Sequence, residues 1–278
     1  MLQIKNRLSF FYVERGSLSV IDGCLVLTDN EDRVQYEVPA RAMVSILVGP
    51  GTTVSTEAMR LAGRYGVNTI WVGEHGVRCY SAGRGWTQNV KWLEKQVMAY
   101  ANSSEALNVA YEMYFLRFGK RMVNKTLDEL RGMEGARVRE FYKLKAQAYR
   151  IRWQGRRYIP GNPDGTTDAP NLALNVANVC LYGLVETACH ATGLSPALGF
   201  IHRGSSQSFV LDVADLYKFD VTIPLAFETV AKHGNSSEAW PGLESDVRKA
   251  ARDSFRTSKL LDRIVGDMTG LFDARPGA

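Results

Sequence analysis

The chain holds four cysteines in 278 residues, Cys24, Cys79, Cys180 and Cys189, and no two of them form a Cys-x-x-Cys pair. That absence argues against a zinc site and predicts reduced, buried thiols in a cytoplasmic protein. No run approaches the roughly 18 uncharged apolar residues that span a bilayer, so neither a transmembrane helix nor a membrane partner is expected. Residues 1–7 lack the apolar core and small-residue cleavage site of a signal peptide. Gly49-Pro50-Gly51-Thr52-Thr53 lacks the Gly-Lys-Ser/Thr ending of a phosphate loop and reads as a turn. No repeat, low-complexity tract or cofactor fingerprint occurs, which leaves a metabolic α/β enzyme little support. What remains is an ordinary globular composition, 45% hydrophobic and 23% charged. It suffices for one large domain or two modest ones, each able to bury a core.

The pattern changes once along the chain. Residues 9–14, 17–21, 24–28, 33–38, 42–48, 67–72 and 77–80 read as strands, with the polar turn Asp29-Asn30-Glu31-Asp32 closing a hairpin. One helix interrupts them at 56–65, with Ser55 as N-cap and Gly66 as stop. A Gly/Ser-rich joint follows at 81–85. From Trp86 onward, apolar residues recur at helical spacing over 88–100, 105–121, 126–130 and beyond, 140–150, 171–192, 208–218, 224–233 and 243–265. Residues 159–170 form a Pro/Gly-rich loop, and the tail after Gly266 is expected to fray. The fold class predicted is α+β. A small β-rich N-terminal domain (1–85) precedes a larger all-helical one (86–278), which carries the metal site considered below.

The net charge of +5 is mild, but it is unevenly spread. Residues 131–157 hold nine basic side chains against two acids, Glu134 and Glu140. Phe141, Tyr142, Tyr149, Trp153 and Tyr158 are interleaved with them, placed to stack on bases or to pack inward. Arg248, Arg252, Arg256, Lys259 and Arg263 follow at spacings that put all five on one side of a single helix, a stripe about 20 Å long. Asp246, Asp253 and Asp262 partly neutralise it. Two basic surfaces with aromatics in a protein of pI near 9.0 make nucleic acid the leading partner, ahead of an anionic membrane surface.

Two stretches carry chemistry. In Gly199-Phe-Ile-His-Arg-Gly204, His202 precedes a helix whose Asp212 and Asp215, three residues apart, share a face. A histidine with carboxylates suits a divalent ion, and oxygen ligands favour magnesium or manganese over zinc. The same aspartates serve equally as helix caps, and the residues alone leave both readings open. In Arg131-Gly-Met-Glu-Gly-Ala-Arg-Val-Arg139, Glu134 stands between glycines at the expected start of a basic helix, as a further ligand or as a cap paired with Arg137.

These motifs, followed by Ser208-Phe-Val-x-Asp-x-Ala-Asp215 and Lys218-Phe219-Asp220, resemble the integrase family of CRISPR adaptation. That family comprises the metal-dependent "Cas-one" endonucleases, and the likeness is to the type I-E form. Val20-Ile21-Asp22-Gly23, Trp71-Val72-Gly73-Glu74, Phe115-Leu116-Arg117-Phe118-Gly119, Cys180-Leu181-Tyr182-Gly183 and Arg252-Asp253-x-Phe255-Arg256 match its landmarks, and the likeness spans residues 8–265. The resemblance implies insertion of short foreign DNA into a CRISPR array by 3′-hydroxyl attack. It places Mg2+ or Mn2+ on Glu134, His202 and Asp215, with Asp212 as an additional catalytic carboxylate. DNA contacts are expected at Arg248, Arg252, Arg256, Lys218, Tyr158, Tyr182 and Arg84. The partners implied are duplex DNA with 3′ ends, CRISPR repeat DNA, a second copy of the chain met through the β domain, and the small ferredoxin-like "Cas-two". Arg15 stands where some relatives offer a DNA-wedging aromatic, and 159–170 lacks the tryptophan that some carry. The alternatives are a structure-specific nuclease for branched repair intermediates and a non-catalytic DNA-binding scaffold.

Overall fold

The computed structural model describes residues 8–13, 15–30, 33–73, 78–83, 90–122, 124–157, 168–234 and 238–273. Two units are distinguished, Met1–Lys95 with Gly183–Ser195, and Gln96–Tyr182 with Pro196–Ala278. The first unit contains two four-stranded sheets. In one, β1 (Leu8–Val13), β5 (Met43–Val48) and β7 (Asn68–Val72) run parallel in that order, and β8 (Cys79–Gly83) closes the edge antiparallel to β7. In the other, β4 (Gln35–Val38), β3 (Cys24–Asp29) and β2 (Gly16–Ile21) form an antiparallel meander. Its last strand, β6 (Thr52–Val54), adds parallel to β2. Helix α1 (Thr56–Arg64) is capped by Ser55, whose side chain accepts from the Ala58 N–H. Its buried face, Ala58, Leu61 and Ala62, joins a core with Leu18, Ile46 and Val67.

The second unit is helical. Helix α2 (Lys91–Ala101) enters it and α3 (Ser103–Phe118) follows, with Asn102 accepting from the Ser104 and Glu105 N–H groups. Helix α4 (Leu127–Ala148) starts on a capping box, Thr126 with Glu129. Helices α6 (Ser208–Asp215), α7 (Ile223–Lys232), α8 (Leu243–Thr257) and α9 (Leu260–Asp273) complete it, with a π-type turn at Lys218–Thr222; α5 (Ala169–Thr192) is shared, its residues from Gly183 on belonging to the first unit. Helix α3 packs on α6 and α9, and α4 on α7. By length and composition α5 could cross a membrane, but 78% of its most apolar window is buried, which makes it a core helix.

The α+β class and the order of strands before helices agree with the sequence reading; several local expectations do not. The segments expected at 126–130 and 140–150 are one continuous helix, because the capping box starts α4 well before Glu134 and its 22 residues carry Gly132 and Gly135 as internal costs. Glu134 therefore sits in mid-helix, away from any helix end. Residues 243–265 are two helices, broken at Ser258 and at Lys259, whose φ is +48°. The basic stripe is thus divided, with Arg248, Arg252 and Arg256 on α8 and Arg263 on α9. Among the described residues, the fraying expected after Gly266 is not seen, since Met268 and Leu271 are buried and hold α9 to Asp273. The turn at 49–53 runs into β6. Of the four thiols only Cys180 and Cys189 are buried; Cys24, beside the Asp22-Gly23 turn, is exposed. Of the joint expected at 81–85, residues 81–83 belong to β8, and of the loop expected at 159–170, Ala169 and Pro170 open α5. Residues 84–85 and 159–167 lie outside the described residues, as do Arg84 and Tyr158.

Candidate metal centre

Helix α3 presents Tyr114 and Arg117 one turn apart, and both reach Glu134 on α4. The Tyr114 hydroxyl donates to Glu134 Oε2 at 2.8 Å, and Arg117 Nη1 donates to Glu134 Oε1. The same Nη1 lies 3.5 Å from Oδ2 of Asp215, the last residue of α6. Lys218 Nζ approaches the other Asp215 oxygen at 2.6 Å. These groups are largely out of water, with side-chain exposures of 6% for Arg117, 16% for Glu134 and 14% for Asp215. Burial pushes the Asp215 carboxyl up, but Lys218, Arg117 and His202 outweigh it and hold it below the usual carboxylate range. Burial and then the Glu134 charge push the Tyr114 hydroxyl well up, so it remains a donor.

Asp212 does different work. It is fully buried and accepts four bonds from one short loop. Its Oδ2 takes the N–H groups of Phe200 (2.5 Å) and Ile201 (2.9 Å), and its Oδ1 takes the His202 N–H (2.7 Å) and meets His202 Nδ1 (2.7 Å). Gly199 lets the loop close this tightly, because a Cβ there would stand 2.4 Å from the His202 carbonyl. Arg131, one turn before Glu134, donates to the Ile201 carbonyl and ties the loop to α4. The tautomer that donates Nδ1–H to Asp212 keeps its lone pair on Nε2. The hydrogen bond to Asp212 raises the His202 pKa; partial burial opposes it, and the charges of Asp212 and Asp215 add to it.

Glu134 and Asp215 thus share one guanidinium nitrogen, while Asp212 orients His202. The atoms of Glu134, His202 and Asp215 do not all approach within 4.8 Å. Among the described residues a different group does so, Cys79, Glu186 and His190. The donors nonetheless suit a hard divalent cation, with two carboxylates and an imidazole oriented by Asp212, and Arg117 stands in for a cation between the carboxylates. Its own Nε is buried without a hydrogen bond. Beside it opens a cavity of about 620 Å³ lined by Glu134, Asp215, Arg139, Lys143, Trp153 and Arg156.

Of the interleaved aromatics, Tyr142 is buried and Phe141 packs on Phe219 at 4.4 Å. Tyr142 stacks on Trp153 at 5.1 Å, and both meet Phe227. Lys218 lies over the Tyr182 ring at 5.0 Å, beside Asp215. On α8, Arg248 is held by Glu244 at 2.5 Å and Arg252 by Asp253 at 2.8 Å. Sequence reasoning assigned no role to Tyr114 or Arg117, although Arg117 lies inside a landmark motif; their spacing of three on one helix was the available signal.

The family model described as CRISPR associated protein Cas1 matches residues 11–120 and 115–241. The chain belongs to the Cas1 family. The CRISPR-associated endonuclease Cas1 1 of Rhodospirillum rubrum is 42% identical over 276 residues, covering 98% of this chain and 87% of that protein. The solved TtCas1–DNA complex superposes with a TM-score of 0.88 at 36% identity, covering 99% of this chain and 100% of the other. A casposase bound to its integration product shares the fold alone, with a TM-score of 0.64 at 14% identity over 97% of this chain and 96% of the casposase. Membership of the Cas1 family supports a DNA-processing nuclease role in CRISPR adaptation.

Proposed function

We propose that this Cas1 is a type I-E integrase, joining the 3′-hydroxyl of a short captured duplex to a phosphodiester of the CRISPR repeat. The observation that carries the reading is the meeting of Glu134 and Asp215 on one guanidinium nitrogen, at the wall of a basic cavity. Mg2+ or Mn2+ held by Glu134, His202 and Asp215 would lower the hydroxyl's pKa and neutralise charge on the phosphate. The chain's own groups do the rest. Asp212 fixes the ring of His202, and Tyr114 orients Glu134. Arg139, Lys143 and Arg156 offer positive charge to the phosphates of a strand lying in the cavity, and Lys218 adds to it at Asp215. One phosphodiester is exchanged for another, so no nucleotide hydrolysis is required.

The DNA interface of this reading includes Arg248, Arg252 and Arg256 on α8, with Tyr182, Tyr158 and Arg84. The homodimer through residues 1–85 and the small Cas-two partner belong to the same proposal. The TtCas1–DNA complex supports DNA as the partner.

The test is strand transfer into a supercoiled repeat plasmid in magnesium, with and without the small partner. Glu134→Ala, His202→Ala and Asp215→Ala are each expected to abolish joining while leaving DNA binding largely intact. Single variants that join at the wild-type rate would remove the assignment. Cut products without joined ones would favour the structure-specific nuclease.

A further inference from the structure

We infer that Cys79, Glu186 and His190 form a second metal site, of the zinc class, built wholly from residues of the first unit. Their ligand atoms, one sulfur, one carboxylate oxygen and one imidazole nitrogen, all lie within 4.8 Å of one another. Glu186 and His190 are four apart on α5 and so share a face. Cys79 opens β8, where the pairing with β7 slips register between Trp71 and Val72. Such irregularities re-aim a side chain relative to a regular strand. The buried Asn68 of β7 donates to the carbonyls of His190 (3.4 Å) and Ala191 (3.3 Å), fastening the end of α5 to the sheet. The three ligands therefore come from two elements already fixed to each other.

The donor set selects the metal. A thiolate, an imidazole and a single carboxylate suit zinc, whereas magnesium and calcium take oxygen. Tetrahedral zinc with bonds of about 2.0–2.3 Å places its ligand atoms about 3.3–3.8 Å apart, so the group need contract by only about 1 Å. Water completes the shell. Burial, and then the Glu186 charge, push the Cys79 thiol up to about 11. Zinc would displace the thiol proton, binding Cys79 as the thiolate and releasing the proton to solvent. The bound ion would cross-brace the edge strand β8 to α5. The absence of paired cysteines conceals this site, because Cys79 and the Glu186/His190 pair lie more than a hundred residues apart.

Full-length protein stripped with a chelator and titrated with Co2+ should develop a thiolate-to-cobalt charge-transfer band at one equivalent, and Zn2+ should abolish it. Cys79→Ser should lose the band, while Glu134→Ala and Asp215→Ala should keep it. A parallel measurement on the wild type needs no variant. Zn2+ should protect Cys79 from alkylation, read by peptide mass spectrometry, while the exposed Cys24 reacts as before. A wild type with no band and no protection, or a band that survives in Cys79→Ser, would overturn the site.

Discussion

Arg117 is the cation on which two carboxylates of different helices converge, and it sits almost wholly out of solvent. Removing one member of such a group leaves buried charge uncompensated, at about 3–5 kcal/mol. Arg117→Met should therefore lose stability of that order in urea denaturation without divalent ions. Mn2+ should recover part of it by binding the folded state. A variant as stable as the wild type would show that the guanidinium does not hold the carboxylates. At Asp212 the expected effect is on His202. Asp212→Asn should bring the His202 pKa back down toward about 6.5, followed by NMR titration. A histidine pKa raised by folding stabilises below its unfolded value, and that contribution fades as pH climbs through the folded one. The wild type's stability advantage over Asp212→Asn should accordingly shrink as pH rises. A gap that stays constant from about pH 5 to about pH 9 would count against the pair.

Helix α4 shows how an element overrides its local signals. Gly132 and Gly135 invite a boundary, yet a capping box upstream and a buried stripe of Leu130, Tyr142 and Ala146 carry one helix through them. A Cβ on Gly132 would meet nothing within 4 Å. Gly132→Ala should then stabilise the protein by about 0.5–1 kcal/mol in chemical denaturation. Loss of stability would reveal a contact or bend that needs the glycine. Helix α8 makes the opposite point about charge. Arg248 and Arg252 already bind Glu244 and Asp253, so each must exchange a carboxylate for a phosphate to contact DNA. Their removal should weaken DNA binding less than removal of Arg139 and Lys143, whose side chains line the cavity beside the carboxylates.

At the scale of the whole molecule, the mild net charge conceals where phosphate can bind. The double variant Arg139→Ala/Lys143→Ala should reduce the slope of log affinity against log salt by about 2 for duplex DNA. An unchanged slope would remove these two from the interface. Much of the architecture was legible beforehand. Short runs bounded by turn residues marked most strands, Ser55 marked the start of α1, and the shift to helical spacing marked the second half. The strand β6, the break at Lys259 and the unity of α4 were not legible, because each depends on what the segment packs against.

The sequence by itself determined the class of fold, the family and the residue types of the candidate metal centre, since periodicity and ordered motifs are properties of the chain alone. Only the tertiary structure decided that Arg117 bridges Glu134 to Asp215, that Asp212 serves the His202 loop, and that Cys79 meets Glu186 and His190. Those are contacts between residues distant in sequence. They are set by which helix faces are buried together and by the need of each buried charge for a partner.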